Sequence, residues 1–147
     1  MLDGLFVTPA VTAIAEALAS ARAEDGKIAV VGNSKLARAL AARRDVVAVA
    51  LPPRAAKKAT NALPDLSSIG DGELAAVVGV DIATSDAWAD QLAEWTRVVH
   101  DGGAIVIVDR GHASEASRRA LCAGLSELEQ RHAGRTVVTS GLVSHLD

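Results

Sequence analysis

The chain has 147 residues, half of them hydrophobic, which is enough for one domain with one sizeable core and leaves no room for a separate substrate domain. Its net charge is −3, and Phe6, Trp88 and Trp95 are its only aromatic residues, so neither a basic stripe nor a set of stacking rings is offered to a nucleic acid. The single cysteine, Cys122, excludes an intramolecular disulfide and a cysteine-built zinc cage.

Basic residues cluster only in pairs, Arg43-Arg44, Lys57-Lys58 and Arg118-Arg119, which are expected to be solvated helix faces. No apolar run approaches the roughly 18 residues that span a bilayer. The N-terminus carries Asp3 and no basic stretch ahead of an apolar one. The expectation is a soluble, unprocessed, cytoplasmic protein forming one domain over residues 1–147, with no membrane, metal or nucleic acid among its partners.

In chain order, apolar residues recur at helical spacing over residues 9–23 (Val11, Ile14, Ala15, Leu18, Ala21). Thr8 is placed to cap this helix and Pro9 to take its first position. Residues 27–31 then form a continuous apolar run, as expected of a parallel strand buried on both faces. Gly32-Asn33-Ser34 breaks the run, and Ser34 or Asn33 caps the helix implied by Leu36, Ala37, Leu40 and Ala41. Residues 45–51 predict a second buried strand, and residues 54–61 a short helix after Pro52-Pro53.

Residues 63–72 are rich in Pro, Asp, Ser and Gly and read as loop. A third clear strand spans residues 74–80, a helix with both tryptophans residues 85–97, and a fourth strand residues 104–108. Ser114 caps a helix over residues 114–123. Beyond it, Leu121, Leu125 and Leu128 fit a continued helix to Arg131, whereas Gly124 and Ala133-Gly134 fit a helix stop followed by a strand hairpin returning over residues 135–143. The hairpin is the preferred reading. Strands alternating with helices argue for a parallel sheet with right-handed crossovers.

Residues 97–109, Arg-Val-Val-His-Asp-Gly-Gly-Ala-Ile-Val-Ile-Val-Asp, together with Leu63-Pro64 and Asp71-Gly72-Glu73-Leu74-Ala75-Ala76-Val77-Val78, resemble the class I S-adenosylmethionine-dependent methyltransferases. The resemblance covers about residues 10–145. It implies an α/β fold: a doubly wound, three-layer α/β/α Rossmann-like sheet, mostly parallel, with an antiparallel C-terminal hairpin. The family's third strand is expected to be short or absent, since only residues 66–69 are left to supply it, and the second strand would then expose an edge open to pairing. Gly102-Gly103 serve a backbone turn in this pattern and report on fold rather than on activity.

The resemblance also places a cofactor pocket at Gly32, Asn33, Ser34, Ala50, Leu51 and Asp81. In the family the first strand ends in an acidic residue and runs into a Gly-x-Gly-x-Gly turn, because the backbone passes close under the methionine moiety. Here Val30 takes the acidic position, Gly32 is kept, and Ser34 and Leu36 replace the next two glycines. The family's second strand ends in an Asp or Glu that accepts both ribose hydroxyls, and the aligned residue is Ala50. Leu74-Ala75 stands where the family commonly has Phe-Asp.

Three departures in one pocket read as a methyltransferase-like module that has lost S-adenosylmethionine and acts without catalysis, through a protein partner or a second copy of itself. Leu36 is expected to occupy part of the cofactor space. The alternative is a divergent S-adenosylmethionine-dependent methyltransferase, whose chemistry needs mainly positioning and no conspicuous catalytic residue.

A dinucleotide site fits poorly, since the middle glycine of its fingerprint is Ser34 and no acidic ribose ligand follows. Asp81, Asp109 and His112 are expected near the strand carboxyl ends, as a weak acid–base candidate or as groups satisfying loop backbone. His100 is expected on the opposite edge, His132 and His145 lack metal-ligand spacing, and Cys122 is expected in the core. No catalytic residue is assigned.

Overall fold

The structure, a computed structural model, describes residues 2–21, 25–50 and 62–145. Short runs of β-branched residues form its centre. Strands β1 (Ile28–Val31), β2 (Val46–Val49), β3 (Ala62–Leu63), β4 (Leu74–Val80) and β5 (Val99–Arg110) pair in parallel, and β6 (Ser126–Ala133) and β7 (Thr136–Leu142) are antiparallel. The sheet order is β3-β2-β1-β4-β5-β7-β6. Register is set at the centre by Ile28 opposite Val46 and Ala76, and by Val77 opposite Ile105.

Because strand side chains alternate, each strand feeds two layers. Val30, Val78, Val106 and Val108 pack under α1 (Leu2–Ser20) and α2 (Ser34–Ala41). Ala29, Val49, Val77 and Ile107 pack under Leu92, Trp95 and Val98 of α3 (Trp88–Val98) and Ala120 of α4 (Ala113–Cys122). The result is the doubly wound three-layer sheet expected from the sequence. Among the described residues no helix is long and apolar enough to cross a membrane.

Several boundaries differ from the sequence reading. Helix α1 starts at Leu2, so Thr8 and Pro9 lie inside it. A proline inside a helix gives up one N–H bond and crowds the carbonyl four residues back, a cost that a helix can bear, so its preference for a first turn is no more than a preference. The third strand is short but is Ala62–Leu63, not residues 66–69, and it covers Ala48 and Val49 of β2. Leu66 and Ile69 instead form a turn (Ile69 N–H to Leu66 C=O, 3.0 Å) that buries both side chains against the α3 side of the sheet. The helix expected over residues 54–61 lies outside the described residues.

Helix α4 begins at Ala113 with His112 in the cap position, so Ser114 falls within its first turn. The helix ends at Cys122, and Gly124 takes φ +87°. The hairpin reading of the tail therefore holds. Ala116 and Ala120 face the core one helical turn apart, which points Leu121 and Cys122 outward. Leu121 is 61% exposed and Cys122 is exposed rather than in the core.

The Gly102-Gly103 pair sits in a register shift, where five residues of β5 run past two of β4 between Leu74–Val99 and Ala76–Ala104. Gly102 has φ +87°, and a Cβ on Gly103 would lie 2.5 Å from the Ala75 carbonyl oxygen. The most demanding glycine is Gly79 in β4, where a Cβ would lie 2.0 Å from Cη2 of the buried Trp95. We expect Gly79→Ala to destabilise the fold by about 2 kcal/mol through overpacking. Urea unfolding should show this loss shrinking when Trp95→Leu is added; equal losses in both backgrounds would mean that the indole is not the obstruction.

Candidate functional site

The carboxyl edge of the parallel strands gathers the sequence-predicted positions, because every strand must there leave the sheet in a tight turn. Gly32 follows β1 at φ +86°, donates its N–H to Val49 C=O (2.8 Å), and leaves only 3.2 Å between a hypothetical Cβ and Val80. Asn33 is the cap of α2, its Oδ1 accepting the Leu36 N–H at 3.0 Å. Ser34 is the first residue of the helix and is half-buried.

Leu36 does not project from this edge. It is fully buried with α1 and the sheet, so its side chain belongs to the core and the expectation that it fills cofactor space is corrected. An amphipathic helix starting at position 34 turns its third residue toward the sheet.

Ala50 follows β2 at φ +54°, exposed, with its N–H donated to Leu63 C=O at 2.9 Å. Leu51 lies outside the described residues. Asp81 follows β4 at φ +61°, exposed, with its N–H on Val108 C=O at 3.0 Å. Beyond β5, Gly111 and His112 take φ +77° and +58°. Left-handed backbone costs a side chain roughly 1–2 kcal/mol, less for Asp or Asn than for Ala. At position 50 the strand tip thus has a shape that suits Asp and carries a methyl group.

Asp109 is an acidic residue that this edge buries. It is 3% exposed, its Oδ1 accepts the Ala83 N–H at 3.0 Å, and its Oδ2 is buried with no hydrogen-bond partner among the described residues. Burial pushes its carboxyl above the usual range, with the charge of Asp81 adding to the rise; the Ala83 N–H, His112 and Arg119 oppose it. The structure therefore brings Asp81, Asp109 and His112 near one another, but Asp109 faces inward and anchors the turn Ile82–Thr84.

The same turn is held from the other side by a residue the sequence reading placed in solvent. Arg119 donates to Ile82 C=O (2.6 Å), Ser85 C=O (2.9 Å) and Glu115 Oε1 (2.7 Å), and lies 5.2 Å from the Trp88 ring centre. Arg118 also bonds Glu115, and the two guanidiniums hold that carboxyl down to about 2. His100 and His145 lie at the opposite edge: Asp101 C=O faces the His100 ring, and Asp101 Oδ1 accepts the His145 N–H at 2.8 Å. Among the described residues no group of three His, Cys, Asp or Glu is arranged to hold a metal ion.

For an adenosyl cofactor the fit is mixed. Gly32 keeps a close backbone approach, while Ala50 offers no acceptor for a ribose and the Asn33 amide oxygen is engaged as a cap.

No protein-family model matches the chain, and no curated protein sequence matches it. Solved structures do. The Burkholderia thailandensis 1,6-didemethyltoxoflavin-N1-methyltransferase, with bound 1,6-didemethyltoxoflavin and S-adenosylhomocysteine, is 12% identical, with TM-score 0.73 over 94% of this chain and 78% of that one. A Thermotoga maritima S-adenosylmethionine-dependent methyltransferase is 15% identical, with TM-score 0.66 over 82% and 83%. A chain of the complex between the Haloferax volcanii Trm112 methyltransferase activator and a candidate methyltransferase is 14% identical, with TM-score 0.66 over 90% of each. At such identities the likeness is one of fold: this chain has a methyltransferase-like Rossmann fold.

Asp109 generates a pH signature. An acid whose folded pKa stands above its unfolded value holds its proton more tightly when folded, so it favours folding at low pH, and that contribution is lost as pH rises through the raised value. Urea midpoints from about pH 4 to about pH 8 should show the unaltered chain losing stability relative to Asp109→Asn as pH rises. A constant difference between the two proteins would contradict the raised carboxyl.

Proposed function

We propose that this chain, a single domain over residues 1–147, is a methyltransferase-like module that no longer holds S-adenosylmethionine and acts by contacting another protein or a second copy of itself. The observation that carries the reading is Ala50: an exposed methyl group on a left-handed strand tip, where the resemblance calls for a carboxylate on the ribose. A hydrogen bond to a charged group contributes about 1.5–3 kcal/mol, and each 1.4 kcal/mol is tenfold in affinity. Losing that carboxylate therefore weakens binding about tenfold to a hundredfold before Ser34 is counted. The Haloferax volcanii complex supports the second half of the proposal, because a scaffold of this shape is found there assembled with a protein activator. The free, exposed Cys122 suits a reducing compartment such as the cytoplasm.

Asp81 favours a second reading, a divergent S-adenosylmethionine-dependent methyltransferase. It is an exposed carboxylate at the tip of β4, one of the family's pocket positions, and methyl transfer demands positioning more than acid–base chemistry.

Calorimetric titration with S-adenosylmethionine and S-adenosylhomocysteine separates the two. The unaltered chain should show no binding at millimolar ligand, and the double variant Ser34→Gly, Ala50→Asp should gain it. Both substitutions suit the backbone, since position 34 opens a helix and position 50 has a φ that Asp tolerates. Micromolar binding by the unaltered chain would replace the first reading with the second.

A further inference from the structure

Beyond β5 the carboxyl edge has another feature, set apart from Gly32 and Ala50. The end of β5, the start of α4 and the tip of the β6–β7 hairpin enclose an open groove of about 790 Å³. Its walls are tied together: Arg110 pairs with Thr136 across the sheet, Ala133 pairs with Thr136 across the hairpin, and the Gly111 N–H donates to Arg135 C=O at 2.9 Å. Gly134, at φ +64°, makes the tight turn, in the glycine-first pattern of a two-residue hairpin loop. Gln130 braces the rear, its amide donating to Ala113 C=O at 2.6 Å and Thr139 Oγ1 at 3.1 Å.

The charge of this groove is opposite to that of the chain. Arg110, His112, His132 and Arg135 line it, and among the described residues no Asp or Glu does, in a protein whose net charge is −3. His112, His132 and Arg135 are exposed, whereas Asp109, next along β5, is 3% exposed and faces the turn at Ala83. Between the basic residues the lining is Gly, Ala, Thr and Val. Cationic and imidazole groups from three separate elements around a small apolar floor recognise an oxyanion attached to a carbon skeleton. A volume below about 1,000 Å³ matches a small molecule, and among the described residues no aromatic lines it to offer a nucleic acid a stacking platform.

We infer that this groove is a binding site for a small organic oxyanion, a phosphate ester or carboxylate, with Arg135 and His132 as its main anion contacts. The inference does not depend on whether the cofactor pocket is active.

The test is a ¹H–¹⁵N NMR titration of the full chain at low salt with phenyl phosphate, benzoate and the neutral analogue benzyl alcohol. Phenyl phosphate or benzoate should shift the Gly111, His132 and Arg135 amides saturably, and the stronger of the two identifies the class of anion. Benzyl alcohol should shift none. Binding should weaken about fivefold or more in Arg135→Gln and in His132→Gln, stay unchanged in Arg38→Ala on distant α2, and weaken further as salt shortens the screening length from about 10 Å at 0.1 M to about 3 Å at 1 M. Retention of the unaltered spectrum elsewhere shows that the variants fold. Equal shifts with benzyl alcohol, unchanged affinity in both groove variants, or shifts confined to Gly32, Ala50 and Asp81 would each overturn the site, the last by placing the anion in the family pocket.

Discussion

Burial of the parallel strands on both faces is the constraint from which the rest follows. Ile28, Val30, Val77, Val78, Ile105 and Ile107 have no exposed surface, so the middle of the sheet can carry no polar chemistry without large desolvation. Polar groups are displaced to the strand ends, and there each chain exit must turn sharply within a few residues. Gly32, Ala50, Asp81 and the Gly111-His112 pair share a left-handed backbone for this reason. Asp109 marks the limit of the rule: it is the strand residue where a carboxylate enters the core, and it stays there by holding the Ala83 N–H.

Much of this was legible in the chain because the signals were local. Unbroken runs such as Ile28–Val31 identify buried strands without reference to neighbours, and Gly124 and Gly134 mark the helix stop and hairpin turn through conformations other residues rarely adopt. What escaped the reading was set by tertiary contacts. The position of the third strand depended on Leu66 and Ile69 finding a better place in the core than in the sheet. Gly79 is fixed by Trp95 crossing from another layer, and Arg119 by carbonyls in the loop after β4, so neither could be seen from its own neighbourhood. Local patterns misled at Pro9 and Ser114, where favourable first-turn residues sit inside helices that start earlier.

The candidate site was legible as a set of positions and not as an arrangement. Family resemblance placed residues 32, 33, 34, 50 and 81 together, and the fold puts them along one edge. Their individual duties are local: Asn33 caps a helix, Gly32 and Asp81 shape turns, and Leu36 packs the core. The basic groove at the β6–β7 tip lay outside that resemblance, and its residues are scattered in sequence, joined only when the hairpin folds back onto the end of β5. The fold is thus shared with methyltransferases, while function rests on the groups that each strand tip presents.

On the proposed reading the tip of β2 no longer grips an adenosyl cofactor, and a ¹H–¹⁵N NMR titration of the unaltered chain with S-adenosylhomocysteine, read at the Gly32, Ala50 and Asp81 amides, tests this. These three resonances should stay in place at millimolar ligand. Saturable shifts at all three in the micromolar range would contradict that reading and return the molecule to the working methyltransferases.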